Sequence, residues 1–204
     1  MLNCNKNSYE LLFTSGCFYG ILDEKEVRFM EKMLEKLRAA DFDKVYKIME
    51  ESFPPDELRG YHAQKTMLEA GAYNIYALKD DDKGIKAFIT VYEFDDFTYA
   101  EHFAVVPEYR NCGLGSEVLD LLKKTVKAPI CLEVELPETD MAKRRIGFYT
   151  RNGFFYNDYD YIQPAYGKDK NPVPLKIMTT ERGISESEFE YKKDVIYKKV
   201  YFID

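Results

Sequence analysis

Glu101-His-Phe-Ala-Val-Val-Pro-Glu-Tyr-Arg-Asn-Cys-Gly-Leu-Gly-Ser-Glu-Val-Leu119 reads as a strand, a break and the opening of a helix. Thr98–Val106 is rich in aromatic and β-branched residues and predicts a strand. Pro107 cannot donate to a ladder and ends it. Arg110-Asn-Cys-Gly113-Leu-Gly115-Ser116 then leads into a helix predicted over Gly115–Lys127, with Val118, Leu119, Leu121 and Leu122 as its apolar side. The two glycines let successive amides turn outward together. A helix start adds unpaired N–H groups at the positive end of its dipole. Such a turn binds pyrophosphate, and Arg110 sets a fixed charge beside it. A larger side chain at Gly113 is expected to crowd this loop. The bare pattern Arg/Gln-x-x-Gly-x-Gly/Ala is weak, since an ordinary Gly-rich loop satisfies it. Its place after a strand and before an apolar helix gives it weight.

Working toward the C-terminus, Pro129 precedes Ile130–Leu136, which alternates strictly. Ile130, Leu132, Val134 and Leu136 take one face; Cys131, Glu133 and Glu135 take the other. Met141–Arg151 predicts a helix closed by Asn152-Gly153. Phe154–Tyr161 and Leu175–Thr180 read as strands, and Ser185 can cap a last helix over Glu188–Tyr201. Toward the N-terminus, Met33–Arg38 reads as a strand. Asp41 can cap a helix carrying Phe42, Val45, Tyr46 and Met49 at helical spacing. Pro54-Pro55 stops it, and a second helix is predicted over Asp56–Glu69, ended by Gly71. Tyr73–Lys79 and Ile85–Phe94 form a hairpin around Asp80–Gly84, where a glycine offers positive φ at low cost. Residues 1–32 differ in character. Tyr9–Phe13 and Cys17–Leu22 suggest a separate hairpin, so this stretch reads as an N-terminal extension to one domain over 33–204. The whole predicts an α/β (α+β) architecture: a mixed, mostly antiparallel sheet of about seven strands with helices on both faces.

Composition narrows the function. The 204 residues carry a formal net charge of −7. Nucleic-acid binding needs a basic face and is not expected. The acidic balance mildly favours a cationic acceptor and is also what solubility alone would require. Cys4, Cys17, Cys112 and Cys131 form no Cys-x-x-Cys, and His62 and His102 are the only histidines. Neither a metal site nor a disulfide framework is expected, and free thiols suit the cytoplasm. No signal peptide is read at the N-terminus. Leu11–Leu22, the most apolar early run, is too short and interrupted to span a membrane, so no membrane partner is expected.

With these residues in view, the chain resembles the GNAT (Gcn5-related N-acetyltransferase) superfamily over roughly residues 33 to 180. Members run through a fourth strand, a pyrophosphate loop and a third helix in this order. They continue with a fifth strand and a helix ending in an aromatic pair, a spacer and Gly-Phe. Here that second block is Arg145-Ile-Gly-Phe-Tyr149-Thr-Arg-Asn-Gly153-Phe154. There is no Gly-Lys-Ser/Thr of a P-loop and no Gly-x-Gly-x-x-Gly near a first strand.

The resemblance implies acetyl-CoA as cosubstrate, no metal, and transfer to a primary amine of a small molecule or peptide by direct attack. It implies that Val105 and Val106 offer main-chain groups to the pantetheine arm where the fourth and fifth strands splay. Arg110, Asn111, Cys112, Gly113, Leu114, Gly115 and Ser116 would hold the pyrophosphate. Tyr149, one of 17 tyrosines, reads by composition as a core aromatic. Its place before the spacer and Gly-Phe instead implies the acid that protonates the departing sulfur. Glu101 stands at the position of a carboxylate base, with His102 expected on the opposite face by alternation. Glu133 and Glu135 are further candidates. Many relatives carry an asparagine seven residues before the tyrosine; Ala142 stands there instead. Tyr156, Tyr159, Tyr161 and Tyr166 with Gln163-Pro164, together with Pro54–Tyr61, fall where such folds build the acceptor site. Aromatics there can pack a core or cover a cation. Two other readings stay open: a non-catalytic acyl-CoA-binding regulatory domain, and an acyltransferase for longer chains with room past Phe103 and Cys131. The chain is expected to act as a monomer or homodimer.

Overall fold

The structure, a computed structural model, describes residues 33–80 and 84–203. The hairpin expected within residues 1–32 lies outside them. The described chain begins with a two-residue edge strand β1 (Glu35–Lys36), followed by α1 (Phe42–Ser52) and α2 (Tyr61–Glu69). Next come β2 (Asn74–Lys79), β3 (Ile85–Glu93) and β4 (Thr98–Val105). Then follow α3 (Leu114–Thr125), β5 (Ile130–Glu135) and α4 (Asp140–Arg151). The chain continues with β6 (Phe154–Gln163), β7 (Val173–Thr180) and α5 (Glu186–Ile196), which runs on into a π-helical turn, Tyr197–Tyr201.

Seven strands form one sheet in the order β1-β2-β3-β4-β5-β7-β6. Every neighbouring pair is antiparallel except β4 and β5, which are joined through α3 and run parallel. Side-chain alternation divides the core into two layers. Phe42, Val45 and Met49 of α1 and Phe189 and Ile196 of α5 pack with Ile75, Phe88 and Tyr99 on one face. Val118, Leu119 and Leu122 of α3 and Tyr149 of α4 pack with Ile89, Leu132 and Val134 on the other. Burying each such side chain contributes roughly 1.5–3 kcal/mol.

Three local expectations are corrected. Asp41 does not cap α1 with its side chain. It sits in a 3-10 turn with φ −92 and ψ −2, whereas a side-chain cap needs extended backbone. The helix expected over Asp56–Glu69 is broken. Pro55–Glu57 makes a single 3-10 turn, and Leu58 and Gly60 are extended, which turns Leu58 and Arg59 inward before α2 starts. Gly84 lies outside the left-handed region; its amide donates to the Asp80 carboxylate instead. By contrast, the last helix is capped as its sequence suggests. Ser185 accepts from the Glu188 amide and Glu188 reaches back, a complete capping box. Among the described residues no helix is long and apolar enough to cross a membrane.

Candidate active site

The β4–β5 pairing covers Thr98–Ala100 against Ile130–Leu132 and stops there, although both strands run on. Beyond Ala100 and Leu132 the strands part. Two cavities of about 480 Å³ each meet at this opening and share Phe103, Val105, Arg110, Arg145 and Tyr149.

One cavity is a groove along the Arg110–Ser116 loop. Asn111 and Gly113 both take positive φ, 62° and 79°. That kink turns the chain into α3, whose first turn has no side-chain cap. The amides of Leu114, Gly115 and Ser116 precede the first i→i−4 bond, from Glu117 to Gly113, and this first turn lines the groove. A side chain at Gly113 would meet nothing within 4 Å, so its φ, and not crowding, demands glycine. At Gly115 crowding does matter: a Cβ would stand 3.1 Å from the Phe148 ring. Arg110 Nε donates to the Val105 carbonyl at 2.8 Å, which lays the guanidinium across the splayed strand end. Val105, Arg110, Asn111, Gly113, Leu114, Gly115 and Ser116 line the groove; Val106 and Cys112 do not. Both main-chain groups of Val106 are engaged, its N–H with Lys86 and its carbonyl with Tyr109. The Cys112 residue is exposed. An uncapped helix start, an adjoining arginine and apolar walls from Phe103, Leu114 and Phe148 fit a phosphate-bearing molecule with an apolar arm.

The other cavity is a cleft lined by four glutamates, Glu57, Glu101, Glu133 and Glu135, and by Arg110 and Arg145. Here β4 departs from simple alternation. Ile89 faces Phe103 and Val91 faces Ala100, so Thr90 alone opposes both Glu101 and His102. This β-bulge places both side chains on the α1 side of the sheet, correcting the expectation that His102 points away. The His102 amide donates to Thr90 Oγ1 at 2.9 Å. His102 Nε2 lies 2.8 Å from the Glu57 carbonyl, which can only accept, so Nε2 carries the hydrogen.

Glu101, its side chain 1 % exposed, ion-pairs with Arg59, accepts from Tyr166 Oη at 2.9 Å and lies 3.3 Å from His102 Nδ1. Burial alone would raise its pKa, but Arg59 and His102 outweigh it and hold the carboxyl well below the usual range. Arg59 also donates to the Val200 carbonyl at 2.7 Å and lies over the Tyr166 ring. Glu133 faces hydroxyls. Tyr161 donates to it, and Tyr201 Oη lies 3.2 and 3.3 Å from its two oxygens. Burial pushes Glu133 up to about 7 against those donors. Burial likewise raises Glu57, with Glu135 adding to it. Glu135 pairs with Arg145 at the cleft wall. Tyr149, buried on α4 and lining both cavities, has its hydroxyl pushed up to about 12 by burial. Ala142 is buried, and its amide donates to Thr139 Oγ1, the side chain that caps α4.

The cleft thus brings together Glu101, Tyr149, Glu133, Glu135 and Tyr166. No sequence signal assigns a role to Arg59, Arg145 or Tyr201, although Arg59 falls within Pro54–Tyr61 and Arg145 opens the block that carries Tyr149. Arg59 was hidden inside an expected helix, and Tyr201 looked like any aromatic near a helix end.

The model of the acetyltransferase (GNAT) family matches residues 42–154. YjbC of Bacillus subtilis (strain 168), which bears the name of an acetyltransferase, is 26% identical over 171 residues, covering 76% of this chain and 86% of that protein. A solved structure titled as a GNAT-family acetyltransferase, from Bacteroides thetaiotaomicron, is 36% identical with a TM-score of 0.77, and covers 85% of this chain and 100% of its own. A variant of the spermidine N-acetyltransferase SpeG from Vibrio cholerae is 12% identical with a TM-score of 0.54, covering 73% and 94%; this likeness concerns the fold alone.

Proposed function

The chain belongs to the acetyltransferase (GNAT) family, and from that premise we propose that it moves the acetyl group of acetyl-CoA onto a primary amine of a small molecule or peptide. The observation that carries this reading is the junction itself. A groove fitted for a phosphate-bearing molecule opens, between the parted ends of β4 and β5, into a cleft that holds carboxylates and a buried tyrosine.

Acetyl-CoA supplies an acyl carbon already activated as a thioester. The chain's own residues bind, orient and move protons around it. Leu114, Gly115 and Ser116 would offer backbone N–H groups to the pyrophosphate, with Arg110 adding charge and Phe103 and Phe148 flanking the arm. A carboxylate of the cleft would draw a proton from the amine. Tyr149 would give a proton to the leaving sulfur; its raised pKa keeps the phenol protonated until that moment. Glutamates outnumber arginines along the cleft, and Glu57 and Glu133 have no arginine partner among the described residues, which supports an acceptor that arrives as a cation.

The test is release of free thiol from acetyl-CoA by the purified protein across a panel of primary amines, with mass analysis of the amine. Amine-dependent release matched by an acetylated product is expected. Acetyl-CoA binding with no release for any amine would favour a regulatory binding domain instead.

A further inference from the structure

We propose that Glu133, held in place by Tyr161 and by the C-terminal Tyr201, is the group that takes the proton from the acceptor amine, while Glu101 serves as the ionised anchor of the cleft. This rests on the acetyl-transfer reading above and goes beyond it by dividing the labour between two carboxylates on one wall.

Position comes first. Glu133 directly follows Leu132, the last β5 residue paired with β4, so it is the first β5 side chain at the opening. It lines the cleft together with Tyr149. Occupancy comes second. Arg59 and the Tyr166 hydroxyl both reach Oε1 of the Glu101 carboxylate, and the His102 ring lies 3.3 Å from Oε2, which has no hydrogen-bond partner among the described residues. A carboxylate so neutralised attracts a further proton weakly. Around Glu133 the facing groups are Tyr161 from β6, Tyr197 and Tyr201 from the terminal turn, Tyr99 and Glu101 from β4, Cys131 from β5 itself, and Tyr166 behind Tyr201. Among the described residues no ion pair to Glu133 occurs, so an arriving ammonium would meet a carboxylate with no cation of its own.

The hydroxyls suit both protonation states. Tyr161 and Tyr201 donate to the carboxylate. Once Glu133 is protonated, its O–H can donate to the Tyr201 oxygen, and the Tyr201 hydrogen can turn toward Tyr99 or Tyr166, 3.2 and 3.3 Å away. Burial supports the same role, because it sets Glu133 near neutrality, where a base is most effective.

In the step itself, Glu133 takes one proton from R–NH3+. An N–H bond breaks, its electron pair stays on nitrogen, and an O–H bond forms. That pair makes the new C–N bond as the C–S bond breaks and its electrons leave on sulfur. Tyr149 protonates the sulfur and is restored by the second nitrogen proton through solvent. Glu133 then sheds its proton to water, so one proton is released per turnover.

Tyr201 is a positioning residue. Its turn is tied down by the Arg59 bond to Val200 and by the buried Val200 side chain. The proposal is tested on the full chain with two readouts, the pH profile of kcat/KM for any amine that turns over and a carboxyl titration by 13C NMR with labelled glutamate. Wild type should show an acid limb and one carboxyl midpoint that coincide near neutrality. Glu133→Gln should abolish both and lower kcat on the order of a hundredfold, with acetyl-CoA affinity unchanged. Tyr201→Phe removes a donor to the carboxylate, so both midpoints should move upward, by about one pH unit; Tyr161→Phe gives a second variant should Tyr201→Phe fold poorly. An acid limb that survives in Glu133→Gln, or midpoints that stay put in both tyrosine variants, would overturn the proposal while leaving acetyl transfer intact. No turnover with any amine would sink both readings together.

Discussion

Glu101 and Glu133 line one cleft from neighbouring strands, yet their surroundings push them in opposite directions. At Glu101 burial is outweighed by Arg59, distant in sequence, whereas at Glu133 burial outweighs the Tyr161 and Tyr201 hydroxyls that accompany it. Both carboxylates could be picked out from strand position read together with the family resemblance. Their ranking could not, because nothing near Glu101 announces an arginine forty-two positions earlier. The helix that carries Tyr149 is legible because its period and the following Asn-Gly stop are local signals, whereas the candidate role of the tyrosine comes from the family resemblance. If the Tyr149 hydroxyl delivers the proton to sulfur, Tyr149→Phe should lower kcat on the order of a hundredfold. Acetyl-CoA affinity measured separately should be unchanged. Full turnover in that variant would remove the hydroxyl from the chemistry.

At the level of elements, the strands and the three helices α3, α4 and α5 fall close to their expected positions, because period and punctuation are local properties. Two features escaped. The helix expected over Asp56–Glu69 gives way to a 3-10 turn and extended backbone, which turns Arg59 inward to an ion pair that only the folded sheet provides. The bulge in β4 escaped because Thr98–Val105 alternates acceptably in sequence, and only pairing against β3 reveals two residues facing one. That bulge is held by Thr90, whose hydroxyl accepts the His102 amide. Thr90→Val should therefore leave a buried N–H unpaired and cost about 1–3 kcal/mol in denaturant unfolding. It should also disturb the Glu101–His102 face more than a core Thr→Val ordinarily would. A neutral result would mean the bulge holds itself without Thr90.

For the molecule as a whole, the two carboxylates imprint opposite pH dependences on stability. Glu133, raised by burial to about 7, sits above the roughly 4.3 of an unfolded glutamate. Between those values the folded state binds the extra proton, so stability falls as pH rises through the window. Glu57, also raised by burial, acts in the same sense. Glu101 is depressed, so its contribution is present above about 4.3 and is lost as pH falls below that. The melting temperature should thus be higher near about pH 5 than near about pH 8, and Glu133→Gln should flatten that decline. An undiminished slope in the variant would assign it to other groups.

All of this depends on the Arg110–Ser116 loop receiving acetyl-CoA. The most direct measurement is a calorimetric titration of the full chain with acetyl-CoA, wild type beside Gly113→Val. Gly113 holds φ at 79°, where a β-branched residue is strongly disfavoured, so the variant should distort the loop while the rest of the fold stands. Micromolar binding by the wild type that is lost in Gly113→Val is the expected result. Absence of binding by the wild type, or equal binding by both, would contradict the assignment of this loop and the acetyl transfer built on it.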